Sequence, residues 1–154
     1  KKVKYDINEI KSKYGEQAPA SCYSTALTYG AWMAIKYDRA DLKHETPGPS
    51  GSNWKATYLV GNSDLDVYKK IVEQIDLGKP VVVHGARDSA NPNLQHWVTV
   101  IGYKNGVSAD KLTLSDVLIL DSWGCEEKKL SDSLVSFRTY NDGVPTNYEM
   151  EYWE

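Results

Sequence analysis

The chain has 154 residues, 41% of them hydrophobic and 25% charged, with a net charge of −3, which suits a globular chain large enough for a proper core. No basic run extends beyond Lys1-Lys2 and no apolar stretch is long enough to span a membrane, so nucleic acid is excluded as a partner and a spanning helix as an element. Two cysteines, Cys22 and Cys125, make neither a disulfide framework nor, without histidines at short spacing, a zinc site.

The chain opens "KKVKYD" without an initiator Met or a signal-peptide pattern and reads as a piece of a longer or processed protein. From Ser21, the positions Ala26, Gly30, Met33 and Tyr37 recur at helical spacing, and Leu27, Ala31 and Ala34 widen the apolar face. This predicts a helix buried on most sides, with Ser21 as its N-cap. The next stretch, Arg39 to Ser63, is rich in Pro, Gly and Ser and reads as a long loop whose Trp54 and Tyr58 could wall a groove. Ser63 with Asp66 makes a capping box for a second helix, with Leu65, Tyr68, Ile71, Val72 and Ile75 inward and Gly78 at its end. From Pro80 the period becomes that of strands, in "PVVVHG", "HWVTVIGY", "LSDVLILD", "SLVSFRTY" and "VPTNYEMEYW", with Asn105-Gly106 among the turns. The cluster Glu126 to Lys129 reads as a solvated turn. Helices over about 1–78 and strands over about 79–154 predict one α+β domain, an antiparallel sheet packed on a helical half.

Chemistry concentrates at few positions. A thiol in the first turn of a helix feels the positive end of the macrodipole, which lowers its pKa, so Cys22 is a candidate nucleophile. A buried small hydrophobe, or half of a bridge to Cys125, are the rival fates. His96 opens one strand run and Asp121 closes the next. Antiparallel pairing across the turn at Asn105-Gly106 sets Val98 opposite Ile119 and His96 opposite Asp121. A carboxylate there would orient the ring and stabilise the imidazolium. Gln17, five positions before Cys22, could supply a side-chain amide to a developing oxyanion. His84 and His44 read as structural or solvated.

"QAPASCYSTA", "LGKPVVVHG", "HWVTVIGY" and "DSWG" follow one another in the order of the papain-like cysteine peptidases, which the chain resembles from Gln17 to Gly124. "ASCY" stands where that family has "GSCW", and "DSWG" replaces the Asn of "NSWG" by Asp. The small size and the Asp look most like the bacterial branch that includes the bacteriocin-processing, double-glycine peptidases, although those carry Gly where this chain has Tyr23. The resemblance implies a central N-terminal helix carrying the Cys, packed on a C-terminal antiparallel sheet. It implies a peptidase with Cys22 as nucleophile, His96 as general base and acid, and Asp121 as orienter. Gln17 and the Cys22 N–H would form the oxyanion hole, and Trp123 would shield the His–Asp pair. Tyr23, Trp54 and Trp123 become candidate groove residues. No cofactor or metal is implied, and the partner is a peptide or protein substrate; localisation is open, with an extracellular or cell-surface bacterial setting favoured over the cytoplasm. Acyl transfer, attack on cell-wall or isopeptide bonds, and a non-catalytic binding or adhesion module with Cys22 in a disulfide are the alternatives.

Overall fold

The computed structural model describes residues 1–17, 21–38, 57–91, 94–141, 144–145 and 148–153. His44, Trp54 and most of the Pro/Gly/Ser-rich stretch fall outside the described residues.

Helix α1, Ile7–Lys13, is capped by Asp6, whose carboxylate accepts the N–H of Asn8 at 2.9 Å. Seven residues are too few to show a helical period, and the sequence reading passes over it. Helix α2, Cys22–Asp38, begins where the Ser21 carbonyl accepts the N–H of Thr25 at 3.0 Å. Ala26, Leu27, Tyr29, Ala31, Trp32, Met33 and Ala34 are all buried, so this helix is enclosed on most sides, as its composition predicts. Strand β1, Thr57–Gly61, leads into α3, Asp64–Asp76. The Ser63 hydroxyl accepts the Asp66 N–H at 3.2 Å, and the Asp66 carboxylate accepts the N–H of Asn62 at 2.9 Å. Then come β2, Val81–Ala86; β3, Gln95–Tyr103; β4, Val117–Asp121; and β5, Glu126–Lys129. The chain ends through β6, Tyr140–Asn141; β7, Val144–Pro145; and β8, Tyr148–Tyr152.

Among the described residues, six strands form one antiparallel sheet in the order β1-β8-β2-β3-β4-β5, while β6 and β7 pair separately. Successive residues of a strand point to opposite faces. On one face Val82 and Trp97 meet α2 through Ala26, Leu27, Ala31 and Ala34, and the Thr99 hydroxyl donates to the Ala26 carbonyl at 2.8 Å. Small side chains along α2 let the helix lie that close. The alternate residues Val81, Val83, Val98 and Val100 join the larger core with Val67, Ile71 and Ile75 of α3. The fold is α+β, as the order of patterns predicts.

Four local readings need correction. The predicted loop contains β1, with Tyr58 and Val60 50% and 40% exposed, so the sheet draws one strand from the part expected to be helical. Its five residues follow a Pro/Gly/Ser-rich stretch that hides them. "SLVSFRTY" is largely not a strand: it touches the sheet at one bridge, Ser136 to Ala86, and buries Leu134 and Phe137, three apart, as plugs for the core. Glu126–Lys129 is a strand rather than a turn, and its charges suit an open sheet edge that must not recruit another chain. On α3, Val67 is buried and Leu65 is 38% exposed, because Leu65 sits about 120° round the helix from Ile71.

The register of β3 on β4 also differs from expectation. Thr99 faces Leu120 and Val100 faces Ile119, and a bulge at Ile101 brings Gly102 opposite Leu118. One further step would set Asp121 opposite Val98, two residues from the predicted His96. On this side of the bulge the shift is even and keeps each side chain on its face, so His96 and Asp121 remain diagonal neighbours on the same side.

Candidate active site

Three elements converge on the imidazole of His96, which is 2% exposed. It begins β3 on the ladder where Gly85 of β2 lies opposite. Its Nε2–H donates to Asp121 Oδ1 at 3.0 Å. That leaves Nδ1 for the other hydrogen-bond partner of the ring, the thiol of Cys22 at the first position of α2. The spacing of diagonal residues on twisted strands thus places a carboxylate behind the ring and a helix N-terminus in front.

The electrostatics follow from these contacts. Burial opposes the charge on His96, but the hydrogen bonds to Asp121 and Cys22 and their charges outweigh it and raise the imidazolium pKa to about 9. Burial would also raise Asp121, yet the donors His96, Ser133 and the Trp123 N–H hold it at about 2. For Cys22 burial again works against ionisation. The His96 hydrogen bond, the backbone N–H of Trp97 and the imidazolium charge prevail, and the thiol pKa is lowered. The arrangement favours a thiolate beside an imidazolium over a neutral pair.

Asp121 is 2% exposed and held from several sides. Trp123 N–H donates to Oδ1 at 2.9 Å, the Ser133 hydroxyl donates to Oδ2, and Lys128 Nζ lies 3.6 Å from Oδ2. Ser133 arrives because the following segment presses against β2: Val135 N–H donates to the Ala86 carbonyl at 2.9 Å, and a Cβ on Gly85 would stand 2.4 Å from the Ser136 carbonyl oxygen. Only a residue without a side chain leaves that approach open. The Trp123 ring covers His96 with centroids 5.4 Å apart, and the Arg87 guanidinium stacks on its face at 4.4 Å.

Gln17 is fastened to the turn after Asp121. Its N–H donates to the Ser122 carbonyl at 2.8 Å, its side-chain oxygen accepts the Ser122 hydroxyl, and Glu16 accepts the Gly124 N–H at 3.2 Å. With the amide oxygen engaged by Ser122, the NH2 end of Gln17 is left for another acceptor. The Tyr29 hydroxyl, from α2, donates to the Gly15 carbonyl and ties the same segment to the helix that carries Cys22.

Of the residues singled out from sequence, Cys22, His96, Asp121 and Trp123 come together, and Gln17 bonds the same turn. Tyr23 packs its ring on Trp97 with centroids 4.6 Å apart and donates its hydroxyl to Glu151. Trp54 lies outside the described residues. Cys22 and Cys125 are both free thiols, so the bridge weighed from sequence is absent. Cys125 is instead buried against the Tyr29 hydroxyl, and burial raises its pKa. His84 is structural, stacked on Trp97 at 4.4 Å and facing Glu149 at 3.4 Å. The sequence reading missed Ser133, Lys128, Arg87 and the role of Ser122. Only Ser122 carried a local signal, its place inside "DSWG". Among the described residues no cluster of His, Cys, Asp or Glu could hold a metal, and no helix is long and apolar enough to cross a membrane.

An α+β fold with a thiol at the N-terminus of its central helix, set against an imidazole and a carboxylate from the sheet, is of the papain-like class. The chain belongs to the Peptidase_C39 like family, whose family model matches residues 5–144. No curated protein matches it. Membership of a peptidase family makes a peptide or protein the substrate class.

Proposed function

We propose that the protein is a cysteine peptidase in which Cys22, His96 and Asp121 act as nucleophile, acid–base and orienter. The observation that carries this reading is the hydrogen-bonded series from the Cys22 thiol through His96 to a buried, ionised Asp121, with 3.0 Å between the last two. The Cys22 thiolate attacks the carbonyl carbon of the scissile amide, forming a C–S bond and an oxyanion. The NH2 of Gln17 and the backbone N–H of Cys22 donate to that oxyanion. Collapse breaks the C–N bond as the His96 imidazolium passes its proton to the departing amine. Water then loses a proton to His96 and attacks the thioester, releasing the acid and the thiol. Asp121 stays ionised and holds the ring in the tautomer that presents Nδ1 to sulfur. Lys128, Ser133 and the Trp123 N–H support that charge, and Ser122 aims Gln17.

The test is alkylation of the native protein by iodoacetamide from pH 4 to 9, mapped by peptide mass. Cys22 is expected to label below pH 7 while the buried Cys125 resists, and His96→Ala should abolish the low-pH labelling. Labelling of Cys22 that rises only around the pKa of a free thiol, about 8.5, would overturn the ion pair and with it the proposed nucleophile.

A further inference from the structure

A cavity of about 340 Å³ opens beside the His96–Asp121 pair, lined among others by Arg87, Leu94, His96, Trp123 and Lys128. His96, Asp121 and Trp123 are part of that lining and Cys22 is not, so the cavity adjoins the catalytic pair on the side that Trp123 covers. On the peptidase reading, on which this inference rests, the amine that leaves takes its proton from His96. The part of the substrate beyond the scissile bond is therefore held next to the imidazole, and this cavity is one that the imidazole lines.

The charges around the cavity are unequal in what they still have to give. Lys128 faces Asp121 at 3.6 Å. Asp88 and Asp132 add two negative charges to the lining, Asp88 accepting the N–H of Ala90 at 2.8 Å and Asp132 that of Lys129 at 3.2 Å, each within its own turn. Arg87 has no ion pair among the described residues. Its backbone N–H donates to the Leu94 carbonyl at 2.9 Å, and its guanidinium carbon lies over Trp123, 4.4 Å from the ring centre. An aromatic ring attracts the guanidinium charge but offers its N–H donors no oxygen acceptor, and those donors form a planar fork matched to a carboxylate. We infer that Arg87 receives a carboxylate on the leaving side of the substrate, either an Asp or Glu side chain or the α-carboxylate of a chain terminus. The site is a carboxylate receptor held in position by the tryptophan that shields the catalytic pair.

The experiment takes one decapeptide found to be cleaved from a random library and remakes it with changes only beyond the scissile bond. One pair ends in a free carboxylate or a carboxamide, and the other carries Asp or Asn at one internal position. The carboxylate member of at least one pair should have about tenfold higher kcat/KM, the scale of a charge-assisted hydrogen bond at a half-exposed site. Raised salt should shrink that ratio, Arg87→Gln should bring it near unity, and Arg87→Lys should keep part of it. Which pair responds tells a terminus from a side chain. Equal rates within both pairs by the unmutated protein, or a preference that survives Arg87→Gln, would overturn the inference. Failure of Cys22-dependent cleavage for every library member would overturn the peptidase reading itself.

Discussion

Asp121 illustrates how a single carboxylate can serve a neighbouring ring. It is buried, yet its hydrogen bonds from His96, Ser133 and the Trp123 N–H and the charge of His96 keep it ionised, with a pKa of about 2, and the imidazolium of His96 is raised to about 9 in return. Removing only the charge separates orientation from electrostatics. Asp121→Asn keeps an oxygen for His96 Nε2–H, so turnover should persist within about a hundredfold of the parent, while Cys22→Ala should abolish it. In the same variant the imidazolium loses its anion, so the alkaline limb of the kcat/KM profile, near pH 9 in the parent, should move to lower pH. An unmoved limb would mean that Asp121 does not set the His96 pKa. Cys22, His96, Asp121 and Trp123 were legible in the sequence because each sits within a short pattern at the end of an element. Ser133, Lys128 and Arg87 were not. Lys128 and Ser133 reach Asp121 from β5 and from the segment leaning on β2, and neither approach leaves a mark on neighbouring residues.

At the level of elements, the close seating of α2 is the feature that positions the thiol. A Cβ on Gly30, midway along this helix, would stand 2.4 Å from the Trp153 ring. Gly30→Ala would ordinarily help a helix, but here the methyl must displace a buried indole. It should destabilise the protein by about 1–3 kcal/mol in urea unfolding, and pairing it with Trp153→Leu should recover part of the loss. A stabilised Gly30→Ala variant would show that α2 and Trp153 are not packed as described. The two long helices were readable because 17 and 13 residues repeat the 3.6 period several times. The five residues of β1 repeat theirs hardly at all. The run 133–140 misled for a different reason: its apolar residues answer to the core, not to a sheet. The β3–β4 register missed by an even number, so the prediction that His96 and Asp121 share a site survived an error in which residues face each other.

For the molecule as a whole, the same shifted groups govern stability. His96 has a folded pKa near 9, above the ordinary 6.5 of the unfolded chain, so its contribution is full below about pH 6.5 and is lost as pH rises through 9. Asp121 lies at about 2, below the ordinary 3.8, so its contribution is present above that value and fades as pH falls through 2. Cys22, whose pKa is lowered in the fold, works in the opposite sense as pH rises toward the ordinary thiol range. In Cys22→Ser, which removes that offset, melting temperature should decline as pH rises above about 6.5 by calorimetry, and adding His96→Gln should flatten the decline; an equal slope in the double variant would place the dependence elsewhere. The long-range bonds that build the site have a further consequence, one of timing. Gln17 meets Ser122 across 105 positions, and His96 meets Asp121 across 25, so the thiol of Cys22 acquires its partners only once β3 and β4 have formed and the N-terminal segment has docked on their turn. On the proposed reading, a chain still emerging from the ribosome would carry an ordinary cysteine with no partner to activate it, and so no working nucleophile while it is being made. The rate at which Cys22 becomes alkylatable at low pH is thus a clock for the last step of folding.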